Sequence, residues 1–309
     1  MRMATQAPTS ILMVRPAAFG FNTQSAESNA FQVDEVDDPS SVQQKALQEF
    51  DRMVDLLRSH DIDVHVLDDT PVPVKPDAVF PNNWISFHED GRVIVYPMLA
   101  ENRRLERGAT VVETLTESFK VLEVIDWSGE EQNNRYLEGT GSMVLDYVNK
   151  VVYANRSPRT NESLVIRFCD LLGYKPIMFD AVDAAGRPIY HANVLMCIGS
   201  KFAVICLDAI PNDEDQEKIL TVLATTNHKV VAISFAQMNA FAGNMIEVAS
   251  KNGESFVLLS EQAFHSLLPG QVDAISRFAE MIPISIPTIE RFGGGSVRCM
   301  VAGIYNPKR

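Results

Sequence analysis

The chain presents a cysteine in a setting suited to nucleophilic chemistry. Gly293-Gly294-Gly295-Ser296-Val297-Arg298-Cys299-Met300 sets three residues without side chains just ahead of a thiol. Glycines of this kind stand where backbone must come close to another group. Cys299 reads in two ways: a thiol presented at the mouth of a pocket, or a small core hydrophobe, the common fate of an intracellular cysteine. Nucleophilic chemistry needs the thiolate, which a nearby imidazolium stabilises. His191, in Ile189-Tyr190-His191-Ala192-Asn193, is a candidate for that partner and for moving protons to a leaving group and from water. Glu138, in Leu137-Glu138-Gly139-Thr140-Gly141, is a candidate carboxylate that would orient the imidazole and raise its basicity. Taken singly, His191 also reads as a half-buried residue at a strand start, and Glu138 as a turn cap.

Five segments of similar build carry these residues. Phe80-Pro81-Asn82-Asn83-Trp84, the segments from Leu137 and Ile189, Phe241-Ala242-Gly243-Asn244 and the segment from Gly293 start 57, 52, 52 and 52 residues apart. Each places small or polar residues ahead of an apolar run, as a repeated supersecondary unit does. The intervals hold helical as well as strand patterns, so an all-β propeller does not fit. Evenly spaced strand–turn motifs also arise by accident in α/β chains. Asn83, Glu138, His191, Asn193 and Cys299 nevertheless fall at equivalent places, which favours five α/β modules in one ring with the polar segments converging on its axis.

The elements that must position them follow from periodicity. Residues 11–14 read as a first strand stopped by Arg15-Pro16, and a polar stretch to about Pro39 reads as a long loop. Ser41 with Gln44 suggests a capping box, followed by apolar residues at 42, 46, 50, 53, 54 and 57 at helical spacing. Ile62, Val64 and Val66 alternate with polar residues as a strand does. Further helices are expected near 101–119, 160–172, 213–226 and 260–280. Strands are expected near 93–98, 143–154, 193–207, 229–234 and 244–259, with a last one in Met300–Ile304. No linker-like stretch interrupts the series, so a single domain over 1–309 is expected, with residues 1–10 flexible.

Composition narrows the function. The 309 residues are 46% hydrophobic with a net charge of −13, enough for a large core and a poor match to nucleic acid or anionic membranes. The cysteines Cys169, Cys197, Cys206 and Cys299 are sparse, and no two have zinc-site spacing, so a reducing compartment is expected and no metal. The N-terminus lacks a secretory apolar run and nothing later spans a membrane, which points to the cytoplasm. Gly293–Ser296 is not a phosphate loop, since no Gly-Lys-Ser/Thr follows, and Arg298 breaks a nucleophile elbow. No coiled-coil or sticky segment indicates a subunit number.

The set Phe80-Pro81-Asn82-Asn83, Leu137-Glu138-Gly139, His191-Ala192-Asn193 and Gly293–Met300 resembles the guanidino-group-modifying enzymes of the pentein superfamily, over essentially the whole chain from Val14-Arg15-Pro16. These comprise arginine deiminases, dimethylarginine hydrolases, amidinotransferases and a citrulline-hydrolysing branch. The resemblance implies a five-bladed α/β propeller, with Cys299 as nucleophile, His191 as general acid/base and Glu138 as its carboxylate partner. It also implies Arg103, in Tyr96–Glu106, and Arg156, in Asn155-Arg156-Ser157, as grips on a substrate α-carboxylate, with Arg159 the second choice; either arginine also reads as a surface ion-pair residue. Arginine deiminases place aspartates where this chain has Asn83 and Asn193. Two amides in place of two carboxylates would leave a buried guanidinium unpaired but suit a neutral ureido group, which needs both donors and acceptors. The expectation is therefore hydrolysis of citrulline, a small amino-acid substrate, to ornithine, ammonia and carbon dioxide through an S-carbamoyl cysteine, with neither metal nor organic cofactor. The alternatives are an arginine deiminase or dihydrolase, an amidinotransferase, and a non-catalytic binding member.

Overall fold

A three-strand unit recurs five times, in which the first strand pairs antiparallel with the second and the second parallel with the third. The computed structural model describes residues 5–26, 28–29, 31–33 and 38–309. Strand β1 (Ser10–Arg15) pairs in parallel with β2 (Asp63–Asp68). The next unit is β3 (Ile85–Phe87), β4 (Arg92–Val95) and β5 (Glu123–Asp126). It is followed by β6 (Met143–Asp146), β7 (Val151–Asn155) and β8 (Lys175–Phe179). Then come β9 (Met196–Ile198), β10 (Phe202–Ile205) and β11 (Lys229–Ala232). The last complete unit is β12 (Ile246–Ala249), β13 (Ser255–Ser260) and β14 (Glu280–Ile284). The missing first strand of the N-terminal unit is supplied by the far end of the chain. Strand β15 (Ala302–Ile304) pairs antiparallel with β1, Ser10 opposite Ile304. First strands lie side by side around the axis, β6 beside β9, β9 beside β12 and β15 beside β3. The fold is thus a five-bladed α/β propeller.

Helices cover the outside because their apolar stripes leave only one way to bury them. Helix Pro39–Ser59 presents Val42, Ala46, Phe50, Met53, Val54 and Leu57, all buried, at i, i+4 spacing. Truncating a residue as enclosed as Phe50 to alanine would cost about 3–5 kcal/mol. Its cap is Asp38, whose carboxylate accepts from the Ser41 amide at 3.1 Å, with Pro39 at the first turn. The capping-box reading of Ser41 is thereby corrected: the helix begins before Ser41. Asn161 and Asn212 cap Glu162–Leu172 and Asp213–Thr225 in the same way. The long helix expected over 260–280 is two short ones, Glu261–Ser266 and Pro269–Ser276, because Pro269 cannot continue the first. The 101–119 region divides into a 3₁₀ turn, Glu101–Glu106, and helix Ala109–Thr116.

The flexible N-terminus is also corrected in part. Residues 1–4 lie outside the described residues, but Gln6 is buried. Its amide donates to the carbonyls of Leu145 and Ile198 (2.9 and 3.1 Å) and accepts from the Tyr147 amide. These three bonds tie the segment to β6 and β9 of neighbouring blades.

Candidate active site

All five polar segments end where a first strand begins. Asn83 precedes β3, Glu138 precedes β6, His191 and Asn193 precede β9, Asn244 precedes β12 and Cys299 precedes β15. Close approach of these segments depends on glycine. A Cβ on Gly139, which also has φ +47°, would lie 2.4 Å from the Asn82 carbonyl oxygen. One on Gly141 would lie 2.4 Å from Asn83 Nδ2 and 2.7 Å from His191 Nδ1. The Gly139-Thr140-Gly141 run therefore lets Asn83 and His191 flank the Glu138 segment.

The Cys299 sulfur faces two amides. Asn193 Nδ2 lies 3.5 Å from Sγ and Asn244 Nδ2 3.4 Å. Asn244 is oriented by its other end, since its Oδ1 accepts from the Arg298 amide at 3.1 Å, and its Nδ2 also donates to the Asn193 carbonyl at 2.9 Å. As a thiol, Cys299 can donate to Asn244 Oδ1 at 3.7 Å. As a thiolate it would have both amide N–H groups directed at it. The cysteine turn is tied through the Cys299 amide to the Ser296 carbonyl at 2.9 Å, and Tyr190 OH donates to the Gly294 carbonyl at 2.8 Å.

His191 and Glu138 meet as the sequence suggests they should. His191 Nε2 lies 2.9 Å from Glu138 Oε2, and both side chains are almost wholly buried. Burial alone would lift the Glu138 carboxyl, but Arg159, the His191 hydrogen bond and more distant Arg103 together hold it well below its usual range. An ionised Glu138 can only accept, so His191 donates from Nε2 and its Nδ1 lone pair is left beside the cavity. Burial pushes the imidazole down to about 4 despite the carboxylate. A neutral imidazole held in this way can act as a base toward the thiol.

The two implied arginines part company. Arg156 does not join the cluster. It is 42% exposed and pairs with Glu162 at 2.9 Å and Asp180 at 3.6 Å on the surface. Its near neighbour Arg159 is the buried one. It lies 3.3 Å from Glu138, packs over the Tyr190 ring at 4.7 Å, and donates to the Ser25 carbonyl and the Ser28 hydroxyl. The reason is local: the Ser157 hydroxyl donates to the Tyr190 carbonyl and Ser157 bridges to Thr160, a turn that directs Arg159 inward. Arg103 is buried at the cavity wall and makes four hydrogen bonds: two to Glu106, one to the Phe80 carbonyl and one to Asn83 Oδ1 at 2.8 Å. It thereby fixes which way the Asn83 amide points. Asn83 lines the same cavity as Cys299 but makes no hydrogen bond to the sulfur; its Nδ2 has no protein partner.

That cavity, bounded by Asp77, Asn83, Arg103, Arg159, His191 and Cys299, has room for about one water (about 10 Å³). Ser25 and Asn29 cover it. Ser25 Oγ and Asn22 Nδ2 donate to Asp77 Oδ2 (2.6 and 2.7 Å), and Asn29 Nδ2 donates to the Gly294 carbonyl at 3.3 Å. Asp77 Oδ1 is buried without a partner. Sequence reasoning assigned no role to Asp77 or to Asn244. Asn244 stood in the fifth repeat segment, so its position was the available signal; Asp77 had none. Among the described residues no group of histidine, cysteine and carboxylate side chains is arranged to hold a metal, and no helix is long and apolar enough to cross a membrane.

Comparison with known proteins bears on the fold and the family. The family model described as N,N dimethylarginine dimethylhydrolase, eukaryotic, matches residues 15–306. No curated protein matches the sequence. Among solved structures, the N-terminal domain of ArgZ, an arginine dihydrolase from the ornithine-ammonia cycle in Cyanobacteria, bound to substrate as a cysteine-to-serine variant, superposes with a TM-score of 0.75 at 14% identity, covering 96% of this chain and 98% of that one. AgrE in complex with L-arginine gives 0.75 at 15% identity, covering 97% of this chain and 40% of that one. A dimethylarginine dimethylaminohydrolase adduct with S-methyl-L-thiocitrulline gives 0.64 at 16% identity, covering 96% and 99%. These likenesses carry the fold.

Proposed function

The chain belongs to the N,N-dimethylarginine dimethylhydrolase family, within the pentein superfamily of guanidino-group-modifying enzymes, and from that premise we propose that it hydrolyses the ureido group of citrulline through Cys299. The observation that carries the reading is the pair of neutral amides, Asn193 and Asn244, on the sulfur where a cationic substrate would call for carboxylates. A neutral electrophile needs no buried counter-ion there, whereas a guanidinium left without one is strongly disfavoured.

Arg159 takes the substrate carboxylate, and the unpartnered Asp77 oxygen takes the ammonium. The room for one water implies that Ser25 and Ser28 leave Arg159 as substrate enters. Neutral His191 accepts the Cys299 proton at Nδ1 as sulfur adds to the ureido carbon. The imidazolium, stabilised by Glu138, then protonates the ornithine nitrogen as its C–N bond breaks, leaving an S-carbamoyl thioester. Water gives a proton to His191 and attacks the carbamoyl carbon; the C–S bond breaks and the thiol recovers that proton. Carbamic acid leaves and falls apart to ammonia and carbon dioxide. ArgZ has been captured covalently bound to a reaction intermediate, which supports a covalent route in this fold.

Arginine dihydrolysis is the second reading, favoured by ArgZ and AgrE, which bind arginine with the same fold. Incubation with L-citrulline, L-arginine and dimethylarginine, with ornithine, citrulline and ammonia assayed separately, distinguishes them. Ornithine from citrulline alone is expected. Ornithine with two equivalents of ammonia from arginine would establish the dihydrolase instead, and citrulline accumulating from arginine or dimethylarginine would overturn both.

A further inference from the structure

Two buried carboxylates hold the helix that leads into the cysteine turn, and the reaction above uses neither. Glu49, from helix Pro39–Ser59, accepts from the Thr288 amide (2.9 and 3.1 Å) and the Ile289 amide (3.0 Å). It thereby caps helix Pro287–Gly293, whose own N-cap residue, Ile286, has no acceptor side chain. One turn later Glu290 is buried and its Oε1 accepts from the Ser296 hydroxyl at 2.6 Å. Ser296 is itself fully buried, and its carbonyl accepts from the Cys299 amide at 2.9 Å. A continuous hydrogen-bonded path therefore runs from Glu290 to the backbone of the cysteine.

The path matters because of what lies between. Gly293, Gly294 and Gly295 have the greatest backbone freedom of any residues, and Gly294 adopts φ +62°. Such a run cannot aim the residue that follows it unless something beyond the run is anchored. Tyr190 holds one side through the Gly294 carbonyl; the bond from Ser296 to Glu290 holds the other. A buried carboxyl is costly: burial lifts Glu290 to about 7, against the hydrogen bonds from Ser260 and Ser296. An apolar side chain would fill the space at less cost but offer Ser296 no acceptor.

We propose that Glu290 is a positioning residue, whose bond to Ser296 sets the turn that aims the Cys299 sulfur, while it touches neither substrate nor sulfur. The inference rests on Cys299 being the nucleophile. The experiment compares Glu290→Ala, Ser296→Ala, the double variant and Glu290→Gln, whose amide oxygen still accepts from Ser296. Each alanine variant should lose about 10–30-fold in kcat with KM within about threefold. The double variant should be no worse than Glu290→Ala, since one bond is removed once. Glu290→Gln should stay within threefold of the parent. Alkylation of Cys299 by iodoacetamide, located by peptide mass spectrometry, should fall in the same order. That readout needs no substrate, so it stands even if citrulline proves to be the wrong one. Unchanged kcat and alkylation in Ser296→Ala, multiplying losses in the double variant, or a Glu290→Gln as impaired as Glu290→Ala would each overturn the proposal. Ser296→Ala and Glu290→Gln carry the test if Glu290→Ala does not fold.

Discussion

Replacing Asn193 by aspartate is the most direct test of why amides surround the sulfur. The change is isosteric and leaves the Asn193 carbonyl that Asn244 uses. It exchanges an N–H donor 3.5 Å from Sγ for a carboxylate oxygen. Two negative charges 3.5 Å apart repel by about 5 kcal/mol at an effective dielectric of about 20, a factor of at least about 10³ against placing a second charge on the sulfur. Turnover of citrulline at neutral pH should therefore fall roughly 10³-fold. A guanidinium lying between the two charges would recover much of that loss, so kcat/KM for arginine relative to citrulline should rise by at least about 10²-fold. Steady-state kinetics on both substrates give the ratio, and the pH dependence of Cys299 alkylation gives the thiol shift independently of turnover. A variant with citrulline turnover within threefold of the parent and an unmoved alkylation profile would refute the electrostatic argument.

The other expectations concern the remaining site groups and acid stability. Arg159→Ala should lower kcat/KM by roughly 10²-fold or more, whereas Arg156→Ala, removing only a surface pair, should stay within about twofold; steady-state kinetics on the two variants decide between them. Glu138→Gln should cut kcat by roughly two to four orders of magnitude, since the amide cannot stabilise the imidazolium; the pH–rate profile and kcat check this. His88 is buried and held down at about 3 by desolvation. An unfolded chain binds its proton below about 6.5, so stability is lost as pH falls from about 6.5, on the order of 3 kcal/mol by pH 4. Urea unfolding of the parent and of His88→Gln at pH 7 and pH 4.5 should show the flatter acid dependence in the variant.

What was readable depended on how local each signal is. The five polar segments could be aligned because each precedes an apolar strand start, and the structure puts them at β3, β6, β9, β12 and β15. The outer strands β5, β8 and β14 escaped notice for the opposite reason. Edge positions tolerate proline and exposed charge, and Pro176 and Pro283 sit within β8 and β14. The Pro39–Ser59 helix was legible from its apolar stripe, but its cap was misplaced by one turn because Asp38 and Ser41 carry similar capping chemistry.

The amino-acid sequence alone determined the repeat of about 52 residues, the α/β class, and the cysteine, histidine, glutamate and asparagine side chains at the repeat ends. Composition and spacing are properties of the chain itself and need no third dimension. Only the tertiary structure decided which arginine turns inward, that Asn244 rather than Asn83 joins Asn193 on the sulfur, and that His191 is buried against Glu138. Those outcomes depend on which blade lies next to which and on how much water burial removes, and residues far apart in sequence settle both.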